Sequence, residues 1–206
     1  MKNAKWYFDF VSPFSYLQNL RLDEFSTHLK IDRKPLLFAG LLKHWDSKGP
    51  AELPPKRLFT YRHVQWMADR LNIPLYFPER HPFNPIPLLR LCIASGCSKM
   101  AVDSIFKCIW EEGLVADDPD NWNAFCNAVE LSVSEANELI SKTEIKLELK
   151  SNCENAIEQG VYGVPTLVVD GHLFWGYDST NLALDYLVNP GLFDSPAMKR
   201  LESLPG

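Results

Sequence analysis

One junction limits what this chain can fold into: WYFDFVSPFSYL, residues 6 to 17, runs an apolar strand straight into a helix. Residues 5 to 11, KWYFDFV, are aromatic and β-branched, as a buried strand requires. Ser12 then takes the helix N-cap and Pro13 the first helical position, where a missing N–H is not needed. The helix is expected to reach about Lys30, and a second strand to follow over Asp32–Phe38. Strand, helix and strand in that order imply two parallel strands with a right-handed crossover.

The other end of the chain also reads as sheet. In GVYGVPTLVVDGHLFWGYD, the runs TLVVD and HLFWG are two strands joined by Asp170-Gly171, the strongest short hairpin signal in a sequence. A closing helix covers Ser179 to Val188. Between the two ends the periodicity is helical: Lys56 to Leu71, LLRLCIASG up to Gly96, and Lys99 to Glu112. A further helix follows Pro119, one opens on Ser132 and Glu135 in capping-box spacing, and the last ends at Gly160. Trp66, Trp110 and Trp122 share helical faces with other apolar residues and read as core. The expected architecture is a split α/β sheet unit, 1–45 with 160–206, interrupted by a mainly helical insertion, 46–159, whose loops face the substrate.

Composition narrows the function. An apolar share of 46% supplies a full core, and a net charge of -5 with no clustered basic stripe argues against nucleic acid, whose binding rests on phosphate neutralisation. The segment MKNAKWYFDF lacks the apolar stretch and cleavage site of a signal peptide, and no apolar run approaches the ~20 residues of a membrane span. A cytoplasmic chain outside the membrane is expected. The five cysteines show neither C-x-x-C nor metal-ligand spacing, so free buried thiols and no metal are the reading. His44, His63 and His81 likewise lack ligand spacing.

Three features are expected to meet at one end of the sheet. Ser12 stands at a helix start, Val164-Pro165 is a cis-proline candidate before a strand, and Asp178 precedes the closing helix. Ser12 has no G-x-S-x-G elbow and no histidine near it in sequence, so its hydroxyl suits hydrogen-bond donation better than nucleophilic attack. The natural recipient is a thiolate. Lowering a thiol pKa from ~8.5 to ~6.5 takes roughly 2.7 kcal/mol and raises the ionised share at pH 7 from about 3% to about 75%. One charge-assisted hydrogen bond helped by a helix N-terminus supplies energy of that order. No cysteine lies near Ser12 in sequence, so the thiol is assigned to a ligand, and glutathione fits: its charged ends match a helix start and Asp178, and its cysteinyl part matches a free backbone edge.

FDFVSPFSYL, GVYGVPTLVVDGHLFWGYD and PPKRLFTYRHVQWMADRLNIP together resemble the 2-hydroxychromene-2-carboxylate isomerase family, related to kappa-class glutathione transferases and to the DsbA branch of the thioredoxin fold. The resemblance runs over nearly the whole chain. It implies a thioredoxin-like sheet with a large helical insertion, glutathione as cofactor, a small aromatic or conjugated substrate, and a homodimer. Carried over by position, Ser12 is the catalytic serine and Val164, before Pro165, pairs with the glutathione cysteinyl group. Trp175, Gly176, Tyr177 and Asp178 hold the glutamyl end. Lys43, Lys48, Gly49, Phe83 and Asn84 match the substrate side. The chain departs from many relatives at Lys48-Gly49, where they carry Asn, and at Ser179, where they carry Arg.

The activity implied is reversible addition of the glutathione thiolate to a conjugated hemiketal, rotation about the bond made single, and elimination, with Lys43 binding the substrate carboxylate. A kappa-type transferase or peroxidase uses the same thiolate. A dithiol oxidoreductase is excluded by the absence of Cys at positions 12 and 15. A non-catalytic thiol-binding or chaperone-like module is the remaining alternative.

Overall fold

The computed structural model describes residues 1–115 and 117–204. Four strands, β1 (Lys2–Phe8), β2 (Leu29–Pro35), β3 (Thr166–Val169) and β4 (His172–Trp175), form one sheet in the order β2-β1-β3-β4. β1 and β2 are parallel, and β3 runs antiparallel to both β1 and β4. The two ends of the chain thus build the sheet together, in a DsbA-like thioredoxin fold. Asp170 and Gly171 make the hairpin turn with φ of 51° and 83°, the positive pair that a two-residue turn of this hand demands. The expected sheet unit reaches positions 205–206, which lie outside the described residues.

β1 alternates as a strand between two layers should. Ala4, Trp6 and Phe8 face the larger core, where Trp6 stacks on Phe8 at 4.4 Å between ring centroids. Tyr7 points the other way, into a smaller cluster with Leu36, Leu41, Ala156, Val161 and Val164. Helices cover both faces. α1 (Pro13–Asn19), α5 (Lys99–Trp110) and α9 (Thr180–Val188) contribute to the larger core. α2 (Phe38–His44) and α8 (Thr143–Glu158) close the smaller one. α3 (Pro54–Leu71), α4 (Ile86–Ala94), α6 (Trp122–Ala128) and α7 (Val133–Ser141) lie between β2 and β3 in sequence, as α5 and α8 do, and α10 (Pro196–Leu201) follows α9. No described helix is long and apolar enough to cross a membrane.

Several boundaries differ from the sequence expectation. β1 ends at Phe8 rather than residue 11, because the Asp9 carboxylate accepts Val11 N–H and curls the chain out of the ladder. α1 stops at Asn19 instead of running to Lys30, since Leu22 and Phe25, both buried at a spacing of three, suit the tighter 3-10 turn over Leu22–Phe25. β2 consequently starts at Leu29, and its ladder to β1 ends at Pro35, leaving room for α2 where a strand end was expected. Trp66 is a correction: it is 53% exposed, whereas Trp110 is buried and Trp122 packs part-buried on the core. α3 turns Val64 and Ala68 inward, so Phe59, His63, Trp66 and Arg70 share its outer side and stack on one another.

Candidate active site

The turn from Asp9 to Ser12 is held at every carbonyl. Ser12 N–H donates to Asp9 O at 3.1 Å, the Trp110 indole N–H donates to Phe10 O at 3.1 Å, and His81 Nε2 lies 2.7 Å from Val11 O. Ser15 and Tyr16 N–H take Ser12 O, which starts α1. Asp9, fully buried, receives Val11 N–H on one oxygen at 3.1 Å and Phe38 N–H on the other at 2.8 Å. Its side chain thereby ties the turn to the first residue of α2. Burial pushes its pKa up to about 7, against the lowering effect of the N–H bonds from Phe38, Val11 and Phe10.

Ser12 occupies the N-cap position with extended backbone, and Ser15 N–H donates to its Oγ at 3.2 Å. That bond uses a lone pair and leaves the hydroxyl hydrogen as a free donor. Ser15 is different: its Oγ is buried with no partner among the described residues.

Strand register sets the rest of the site. Tyr7 pairs with Thr166 and Thr166 with Trp175, so the residues beyond them, Ser12, Val164-Pro165 and Gly176, converge at one end of the sheet. The Val164-Pro165 peptide is cis, and Gly176 N–H donates to Pro165 O at 2.8 Å. Among the described residues, neither the N–H nor the C=O of Val164 has a backbone partner. An unpaired edge of that kind accepts an extended peptide. Gly176 has φ 87°, and a Cβ there would stand 2.5 Å from Asp178 Oδ1. Asp178 is exposed, caps no helix and makes no hydrogen bond or ion pair among the described residues. Arg21 lies over the half-buried Tyr177 ring at 5.4 Å, and Trp175, half exposed, packs on Tyr162 at 5.1 Å.

The substrate-side residues fall into two places. Lys43 sits in the last turn of α2, five residues and about 8 Å along the axis from the Phe38 that Asp9 holds. Gly49 packs against Leu42 and Phe38 of the same helix, with Lys48 exposed beside it. Neither lysine has an ion-pair partner among the described residues. Phe83 is buried in the larger core, and the Asn84 side chain accepts Ile86 N–H at 3.1 Å, at the start of α4. Among the described residues no cluster of three or more His, Cys, Asp or Glu could hold a metal.

Sequence reasoning missed Asp9, His81, Trp110 and Gln18 as parts of this site. Gln18 is buried, accepts from the Trp6 indole at 2.7 Å, and donates to Gly176 O at 3.0 Å, locking α1 to the turn before α9. Asp9 left one legible signal, a carboxylate inside an otherwise apolar strand. The other three reach across the fold, and nothing local marks them.

A sequence model of the DSBA-like thioredoxin domain matches residues 5–188. A 2-hydroxychromene-2-carboxylate isomerase of Sphingobium xenophagum is 25% identical over 193 residues, 91% of this chain and 99% of that protein. Glutathione s-transferase kappa 2 of Caenorhabditis elegans is 24% identical over 209 residues, 92% of this chain and 93% of its own. A solved 2-hydroxychromene-2-carboxylate isomerase structure superposes with a TM-score of 0.81 at 25% identity, over 94% of this chain and 99% of that one.

Proposed function

The chain belongs to the DSBA-like thioredoxin domain family, and from that premise we propose a glutathione-dependent cis-trans isomerase resembling 2-hydroxychromene-2-carboxylate isomerase. The observation that carries the reading is the pairing of a Ser12 hydroxyl whose hydrogen is free with an unpaired Val164 backbone at the same sheet end. The described residues fit glutathione: a donor for a thiolate, an edge for an extended peptide, and in Asp178 an unpartnered carboxylate for an amine.

Bound glutathione supplies a thiolate that adds reversibly to a conjugated acceptor and leaves unconsumed. The chain's own residues do the rest. Ser12 donates its hydroxyl hydrogen to the sulfur anion and keeps its orientation through the Ser15 N–H bond. Val164 aligns the cysteinyl segment beside Pro165, and Trp175, Gly176, Tyr177 and Asp178 receive the glutamyl end. Lys43 and Lys48 meet a substrate carboxylate as point charges beside Gly49, while Phe83 and Asn84, just before α4, make up the rest of the substrate side.

The test is an absorbance screen of chromene and benzylidenepyruvate carboxylates with glutathione present. Ser12→Ala removes one hydrogen bond to a charged acceptor, about 1.5–3 kcal/mol, so turnover at neutral pH should fall ten- to a hundredfold. Turnover that persists unchanged in Ser12→Ala removes the proposal. The kappa relative supports a transferase as the second reading. Stoichiometric loss of glutathione during turnover would decide for the transferase.

A further inference from the structure

Resting on the glutathione reading above, we propose that His81 and Tyr61 are a positioning pair that sets the direction of the Ser12 hydroxyl. Val11 O can only accept, so His81 Nε2, 2.7 Å away, carries the ring proton. Nδ1 is then an acceptor, and it lies 2.6 Å from the Tyr61 hydroxyl, which donates to it. Burial lowers the His81 pKa and keeps the ring neutral in this tautomer. Phe77, Phe83 and Trp110 stand edge-on to the imidazole at 6.2, 6.0 and 5.6 Å and pack it on three sides.

The bonded carbonyl and the Ser12 N–H belong to one rigid peptide plane. His81 holds the plane at its oxygen and Asp9 O holds it at its nitrogen, at 3.1 Å. Ser12 Cα hangs from that plane, and Ser15 N–H fixes the Oγ lone pair. With that position taken, the hydroxyl hydrogen keeps only the two remaining staggered directions. Without the Tyr61 hydroxyl the other histidine tautomer competes, and a bare Nε2 lone pair then faces the Val11 oxygen. Both residues belong to the 46–159 segment, whereas Ser12 follows β1, so the insertion governs a group carried by the sheet.

The experiment is a pH titration of the ultraviolet thiolate absorbance of glutathione bound to the full chain. His81→Leu should raise the bound thiol's apparent pKa by about one unit, the effect of misdirecting one hydrogen bond to a charge. Tyr61→Phe should move it about half as far, and His81→Gln, whose amide N–H replaces Nε2–H, should restore the wild-type value. On a Ser12→Ala background, His81→Leu should add no further shift, because the pair acts through Ser12. An unchanged thiol pKa in His81→Leu, or an equal shift on both backgrounds, overturns the proposal. Should His81→Leu fail to fold, Tyr61→Phe, which loses a single hydroxyl, decides by the same criterion. A wild-type protein with no thiolate signal removes the glutathione reading itself; a wild-type signal that Ser12→Ala abolishes and the variants at 61 and 81 leave in place removes only the inference.

Discussion

Asp9 is the residue where stability and site geometry meet. Its carboxylate is fully buried and its pKa stands near 7, while the same group in an unfolded chain titrates near ~3.9. Below about pH 4 both states are protonated and the residue contributes no penalty. As pH rises toward 7 the unfolded chain releases this proton and the folded chain keeps it, so folding weakens; above 7 the penalty is complete. About three units correspond to a few kcal/mol. Denaturant midpoints measured from pH 4 to 8 should therefore fall more steeply in the wild type than in Asp9→Asn, which has no charge to bury. Parallel profiles would show that the N–H bonds from Val11 and Phe38 already compensate the carboxylate.

At the scale of elements, β4 and the 160s loop meet through a glycine. A Cβ on Gly163 would run into the Trp175 indole nitrogen, so Gly163→Ala must push that ring out of place. Glutathione affinity should drop several-fold by calorimetry, while the thiolate share of the ligand that does bind stays at the wild-type level, because Ser12 lies on another element. Local chemistry made many elements readable in advance. Pro13 after Ser12, Asp170-Gly171, and the Ser132–Glu135 capping box, seen as reciprocal bonds of 3.2 and 3.0 Å, each encode their structure within four residues. Val164-Pro165 was legible for the same reason. The end of α1 at Asn19, the existence of α2 and the exposure of Trp66 depend on what packs from elsewhere, and no window of sequence contains that. His81 reaching Val11 is one such case, a bond between residues 70 positions apart.

For the whole molecule, the outer side of α3 remains to be accounted for. Leu58, Phe59 and Trp66 are 51%, 67% and 53% exposed, beside Lys56, Arg57, Arg62 and Arg70, on a chain of net charge -5. Such an aromatic, basic face on an acidic protein matches a second copy better than solvent, in line with the homodimer that the family resemblance implies. Sedimentation should give twice the chain mass, and Trp66→Glu should shift it toward the monomer. A wild-type monomer at micromolar concentration would refute the dimer.

The Ser12 turn is fastened by Phe38, His81 and Trp110, which lie 29, 70 and 100 positions from the residues they hold. A chain with its sheet paired but its helices undocked would hold every chemical group of the site and still be inert, since the serine would have no fixed aim. Activity in this architecture reports completed assembly, and during refolding it should return with the slowest docking event rather than with the first appearance of strands and helices.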